Sequence, residues 1–225
     1  KARSESLEAF STPMPFSHNG RDEIVIVGGD CLTGHDPKTG KELWRWGTWN
    51  PSRIGHWRLV PSPVSGKGVL LACGPKGAPV FAIKAGAKGD VSEDKSSIAW
   101  HSEGRRDQVT SDVSTPLFYQ GNFYVLYGEG RDKILSCVDP KSGKAKWATD
   151  LESRSLFRGS PTGADGKLYV QNHAGTVHVI DAKSGKVLHK TNMGEPGDDQ
   201  TRATIAVAHG NLFIRTNSRL YCIGS

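Results

Sequence analysis

Apolar residues along this chain come in short runs separated by turn residues. Five runs stand out: Glu23-Ile24-Val25-Ile26-Val27, Gly68-Val69-Leu70-Leu71-Ala72, Asn122-Phe123-Tyr124-Val125-Leu126, Lys167-Leu168-Tyr169-Val170 and Asn211-Leu212-Phe213-Ile214. They are rich in β-branched and aromatic residues and four or five residues long, which predicts strands. Turn chemistry precedes them at His18-Asn19-Gly20, Gln120-Gly121, Asp165-Gly166 and His209-Gly210. Nowhere does a 3.6-residue apolar period persist long enough to predict a long amphipathic helix.

The runs belong to a repeat. Asp36-Pro37-Lys38-Thr39-Gly40-Lys41-Glu42-Leu43-Trp44 recurs as Asp139-Pro140-Lys141-Ser142-Gly143-Lys144-Ala145-Lys146-Trp147, and again as Asp181-Ala182-Lys183-Ser184-Gly185-Lys186-Val187-Leu188-His189. Phe81-Ala82-Ile83-Lys84 and Tyr221-Cys222-Ile223-Gly224 are degenerate copies, so the anchors fall at 36, 84, 139, 181 and 224. A second anchor stands upstream of each: Ser11-Thr12-Pro13, Pro61-Ser62-Pro63, Ser114-Thr115-Pro116, Gly159-Ser160-Pro161 and Ala203-Thr204-Ile205. Each unit predicts four strands: one through the Pro anchor, one through the apolar run, one ending at the Asp and one through the Trp. The Asp-Pro-Lys-Ser/Thr-Gly segment has the chemistry of a tight hairpin, in which Asp bonds nearby N–H groups and Gly takes the left-handed position.

Four short strands every 40–50 residues predict an all-β fold, a β-propeller of four-stranded antiparallel blades, about five of them in a single domain. The blade units run 11–50, 58–104, 112–152, 158–194 and 202–225. Residues 1–10 are the tail of a preceding blade, or a strand that closes a five-blade ring. The residue two before each anchor Asp is small (Gly34, Ala82, Cys137, Val179, Cys222), as crowding between stacked sheets requires. Burial is therefore expected for Cys137 and Cys222. The segment 86–97 delays Trp100, and with Asp90, Glu93 and Asp94 it reads as a solvated loop.

Composition narrows the function classes. The 225 residues carry 29 Lys+Arg and 23 Asp+Glu, a net charge of +6. That charge permits acidic partners without requiring them. No Lys/Arg block, zinc spacing or RNA-binding motif points to nucleic acid, and no apolar run is long enough to span a bilayer as a helix. The four cysteines show no C-x-x-C spacing. The histidines have no ligand spacing, and no metal site is expected. Gly28-Gly29-Asp30 and Gly128-Glu129-Gly130 lack phosphate-loop spacing and read as strand-end turns.

The pattern apolar-Tyr/Phe-small-apolar-Asp-x-x-Ser/Thr-Gly-Lys-x-x-Trp resembles the PQQ-like repeat of quinoprotein alcohol dehydrogenases and BamB-like outer-membrane assembly factors. The resemblance covers nearly the whole chain and implies seven or eight blades in all. It also implies that Trp44, Trp100 and Trp147 dock between adjacent blades, a role for which His189 substitutes poorly.

In a propeller the loop entering each innermost strand opens near the axis, which makes His56, Trp57, Arg58, Asp112, Arg158 and Arg202 the candidate ligand positions. Converging arginines would bind a carboxylate, a phosphate or an acidic peptide through bidentate forks. The competing expectation is that they pair with Asp112, Glu152, Asp198 or Asp199. The favoured reading is a non-catalytic binding or scaffold propeller, similar to the BamB-like group, that holds a protein, a peptide or a small anionic ligand without a cofactor. The resemblance carries an alternative, a dehydrogenase using PQQ and calcium with an Asp base and, in many members, adjacent cysteines. No Cys-Cys pair exists here. Similarity to periplasmic or secreted propellers implies a cell-envelope location in a bacterium.

Overall fold

The computed structural model describes residues 7–47, 50, 59–74 and 76–224. Its strands form five consecutive antiparallel blades of a β-propeller. The first blade is β1 (Met14–His18), β2 (Arg21–Val27), β3 (Leu32–His35) and β4 (Glu42–Trp46). The second is β5 (Val64–Gly66), β6 (Val69–Cys73), β7 (Val80–Lys84) and β9 (Ile98–His101). The third is β10 (Leu117–Tyr119), β11 (Asn122–Tyr127), β12 (Ile134–Val138) and β13 (Ala145–Asp150). The fourth is β14 (Thr162–Ala164), β15 (Lys167–Gln171), β16 (Thr176–Asp181) and β17 (Val187–Asn192). The fifth has three strands among the described residues, β18 (Ala206–Ala208), β19 (Asn211–Arg215) and β20 (Leu220–Ile223).

Stacking explains why the second strand of each blade is apolar at consecutive positions. Successive side chains of a strand point to opposite faces. Leu70 and Ala72 of β6 therefore join the core shared with the first blade, while Val69, Leu71 and Cys73 join the core shared with the third. On β11, Phe123 and Val125 face backward and Tyr124 and Leu126 face forward. Each fully buried Leu or Phe contributes about 1.5–3 kcal/mol of transfer free energy. Between blades three and four His178 is fully buried; its Nε2 lies 3.2 Å from the Leu151 carbonyl and its ring meets Phe157 edge-on at 5.3 Å. Burial, helped by the positive charge of Lys190, pushes its pKa down to about 4. The unfolded chain then binds the proton and the folded one does not. Stability is fully present above the ordinary value near 6.5 and falls as pH drops toward 4, by about 3 kcal/mol. Urea unfolding at pH 7 and pH 4.5 is expected to show this slope, and His178→Asn is expected to flatten it. An unchanged slope in the variant would mean that the imidazole is not held neutral.

The first strand begins just beyond the Pro anchor rather than running through it, because the residue before the anchor proline has other work. The Thr12 N–H donates to Ser62 Oγ (2.9 Å), Ser62 N–H to Thr115 Oγ1 (3.0 Å), Thr115 N–H to Ser160 Oγ (3.0 Å) and Ser160 N–H to Thr204 Oγ1 (3.0 Å). Four hydroxyls thus link the five blades in series near their inner strands.

The hairpins have the expected chemistry. Asp36 Oδ1 accepts from the N–H groups of Lys38 and Thr39 and from the Thr39 hydroxyl; Asp139 and Ser142 repeat the pattern, as do Asp181 and Ser184. These bonds hold the three carboxyls below the usual aspartate range. Two of the three tryptophans, Trp100 and Trp147, meet the hairpin of the following blade. Trp100 Nε1 donates to the Pro140 carbonyl (2.8 Å) and its ring lies against Gly143, and the Trp147 ring lies against Gly185. Trp44 is buried beside the segment 86–97.

That segment is a correction in part. Asp90, Glu93 and Asp94 are exposed as a solvated loop requires, but Gly89–Asp90 forms β8, which adds in parallel to the outer edge of β4 with Trp44 opposite Gly89 and Arg45 opposite Asp90. The Val91 N–H donates to the Arg45 carbonyl (2.9 Å). The cause is the apolar Ala87 and Val91, which pack on the core between blades one and two. Cys137 is buried, but Cys222 is exposed: it sits on the fifth blade, where Val207, Leu220 and Ile223 are exposed too. His189 is exposed as well. Residues 7–10 do not serve as the outer strand of the fifth blade; Ala9 bridges Leu59 and Leu7 lies against Gly29, beside the first blade.

Candidate functional site

Two sets of loops share one end of the blades. One joins the second and third strands within a blade, the other joins each blade to the next. They are tied by main-chain bonds: Phe157 N–H to Gly128 O (3.0 Å), His173 N–H to Leu156 O (2.8 Å) and Thr201 N–H to His173 O (3.0 Å). Of the candidate ligand positions, Asp112, Arg158 and Arg202 fall on this end. His56, Trp57 and Arg58 lie outside the described residues.

Arg158 and Arg202 stand on consecutive loops with His173 between them in the electrostatic sense. Burial first, then the charges of Arg158 and Arg202, hold the His173 imidazole below its ordinary value, while Glu129 and Asp199 pull the other way. His173 is buried and its Nε2 has no hydrogen-bond partner. Arg158 Nε is fixed by Glu129 Oε1 at 2.8 Å. Its partner is none of the aspartates and glutamates the sequence offered, but Glu129, from what reads as a strand-end turn. Arg202 Nη2 donates to Gln200 Oε1 (2.9 Å) and shares a cavity of about 490 Å³ with Thr201, Arg215, Thr216 and Asn217.

Asp112 does not join the arginines. Its Oδ1 accepts from the Lys76 N–H. Burial raises the Tyr127 pKa, the charges of Asp112 and Glu129 add to that, and Arg105 pulls it down. Main-chain bonds thus tie the loops that carry Arg158 and Arg202 to His173, while Asp112 is bonded to the Lys76 N–H instead. The sequence did not single out Glu129, His173 or Arg215. The shared end of the two loop sets is what joins them, and spacing along the chain carries that signal only once the blade register is known.

Calcium with PQQ would need a cluster of carboxylate and carbonyl oxygens. Three carboxylates at this end have hydrogen-bond partners: Glu129 with Arg158, Asp112 with a main-chain N–H, and Asp198 with the Glu195 N–H and the Ser218 hydroxyl. Among the described residues no three His, Cys, Asp or Glu side chains are grouped to hold a metal.

A family model described as outer membrane protein assembly factor BamB matches residues 29–224. No curated protein sequence matches the chain. Among solved structures, BamB from Moraxella catarrhalis is similar at 11% identity and a TM-score of 0.57, over 92% of this chain and 56% of that one. Quinohemoprotein alcohol dehydrogenase from Comamonas testosteroni superposes with a TM-score of 0.70 at 14% identity, over 97% of this chain and 41% of that one. Sqt1 of Saccharomyces cerevisiae gives 0.67 at 11% identity, over 96% and 60%. The chain thus spans between two fifths and three fifths of the length of these proteins, and at such identities the likeness is one of fold.

Proposed function

The chain belongs to the PQQ-repeat family described as outer membrane protein assembly factor BamB, and from that premise we propose that it is a non-catalytic binding propeller of the bacterial cell envelope. Blades of this kind serve enzymes and scaffolds alike, so the fold does not choose between them. The choice rests on the loop end. The observation that carries it is the buried, unpartnered His173 beside Arg158 and Arg202, with Arg158 already oriented by Glu129. Oriented guanidinium groups bind carboxylates through paired N–H donors, and a fixed side chain loses little entropy on binding. The partner class is a protein or peptide that presents carboxylates, or a small anion of the same chemistry. No PQQ or calcium is needed for it. No helix among the described residues is long and apolar enough to cross a membrane.

Citrate and a glutamate-rich decapeptide are the probes. Each is expected to raise the melting temperature of the chain, and the double variant Arg158→Ala/Arg202→Ala is expected to lose at least three quarters of the rise. If the variant keeps the full rise, or neither probe moves the wild type, the loop end is not the binding site.

A further inference from the structure

The molecule displays, on its own first blade, how an outer blade edge is occupied. β8 adds in parallel to β4, the Arg45 carbonyl accepts the Val91 N–H (2.9 Å), and the Gly47 N–H reaches Ser92 Oγ (3.1 Å). In the repeat, Trp147 of the third blade corresponds to Trp44, so Ala148 corresponds to Arg45 and Asp150 to Gly47. The outer strand of the third blade, β13, pairs with β12 and with nothing on its other side among the described residues. Its ladder sets which groups face out. The Leu151 N–H donates to the Lys133 carbonyl (2.9 Å), and Thr149 and Trp147 follow on the same side. The alternation of an antiparallel ladder then turns the N–H and C=O of Ala148 and Asp150 away from the sheet.

Those two residues also line a cavity of about 490 Å³ between blades two and three, off the axis. Buried Tyr127 and Thr110 form its floor. Arg105 lies over the Tyr127 ring with its guanidinium carbon 5.1 Å from the centroid, donates to the Lys76 carbonyl (3.2 Å) and rests against Gly77. The loop carrying it is pinned to the third blade by the Ser136 hydroxyl, which donates to the Gln108 carbonyl (2.6 Å). Arg105 makes no ion pair among the described residues. Arg105, which forms no direct ion pair among the described residues, thus stands beside open main-chain groups of an edge strand, in a cavity that Arg131, Asp132 and Asp150 also line.

We infer that β13 takes up an extended acidic segment of a partner protein by strand addition. Main-chain bonds form to Ala148 and Asp150, as β8 makes them on β4. The side chains of the added strand alternate, and the one facing the second blade is a carboxylate that enters the cavity and meets Arg105. The site is separate from the loops that carry Arg158 and Arg202.

The probe is a capped, fluorescein-labelled octapeptide of alternating valine and aspartate, read by anisotropy on the full chain. It is expected to saturate, and its lysine counterpart to bind at least tenfold more weakly. Arg105→Gln and Ala148→Pro are each expected to weaken it at least tenfold; proline is tolerated on an edge strand but donates no hydrogen bond. Hydrogen exchange on the wild type keeps the test independent of how Ala148→Pro folds: the Ala148 and Asp150 amides are expected to slow when the peptide is bound. Absence of saturation below about 1 mM, unprotected amides at both positions, or indifference to Arg105→Gln overturns the proposal. So does loss of binding in Arg158→Ala/Arg202→Ala, which would put the peptide on the loop end instead.

Discussion

Replacing Glu23 with alanine is expected to cost about 3–5 kcal/mol, since it strips the partner from a buried charge pair. Glu23 is 2% exposed on β2. One of its carboxylate oxygens takes the Arg21 guanidinium at 2.6 Å and the other takes Trp44 Nε1 at 2.5 Å. Arg21 in turn donates to the Ala87 carbonyl (2.8 Å), within the segment that adds to the first blade. Removing the carboxylate leaves an indole N–H buried without an acceptor and a half-buried guanidinium without its counter-charge. Each of these costs desolvation free energy that water no longer offsets. Glu23→Gln keeps an acceptor for one of the two donors and is expected to lose about half as much. Urea unfolding at neutral pH measures both, and a midpoint for Glu23→Ala within about 1 kcal/mol of wild type would show that the carboxylate is solvated.

Glu23 also marks where the sequence stops being informative. The apolar runs and the Asp-Pro-Lys-Ser/Thr-Gly hairpins are local: the φ demand of a glycine and the reach of an Asp side chain act over five residues, so they can be read in order. The consecutive apolar residues of β6 and β11 were legible for the same reason, because only burial on both faces allows them. Glu23 sits at the head of such a run and reads as its one polar residue. Its burial depends on Trp44, 21 residues away, and on which face of the strand each occupies. In the segment 86–97 the exposed acids were legible but the pairing with β4 was not, because the two apolar side chains that anchor it, Ala87 and Val91, are separated by polar residues. At the candidate site the loop arginines were legible as a class, since topology places blade-entry loops at one end. The partner of Arg158 was not. Glu129 belongs to another loop, and only the register between a strand-end turn and the following blade entry brings the two to 2.8 Å.

Three glycines that look alike in the sequence separate what a repeat encodes from what packing adds. Gly40, Gly143 and Gly185 all close the same hairpin with φ of +69°, +71° and +76°. Alanine at any of them is strained by about 1 kcal/mol through the backbone alone. Around Gly40 a Cβ would meet nothing within 4 Å, so Gly40→Ala is expected to cost that and no more. At Gly143 the Cβ would stand 2.4 Å from the Trp100 ring, which is held by its bond to the Pro140 carbonyl and by the core between blades two and three. Gly143→Ala is therefore expected to cost about 3 kcal/mol, overlap added to strain. Trp100→Ala alone loses a docked indole and is expected to cost about 3–5 kcal/mol. The double variant decides between docking and coincidence. With the indole gone, the methyl group at 143 enters vacated space, and only the backbone strain of about 1 kcal/mol remains. The pair is then expected to be less destabilised than the two single changes together, by about 2 kcal/mol, as residues in direct contact are. Additive losses in a urea-unfolding cycle would mean that the indole of one blade does not rest on the hairpin of the next.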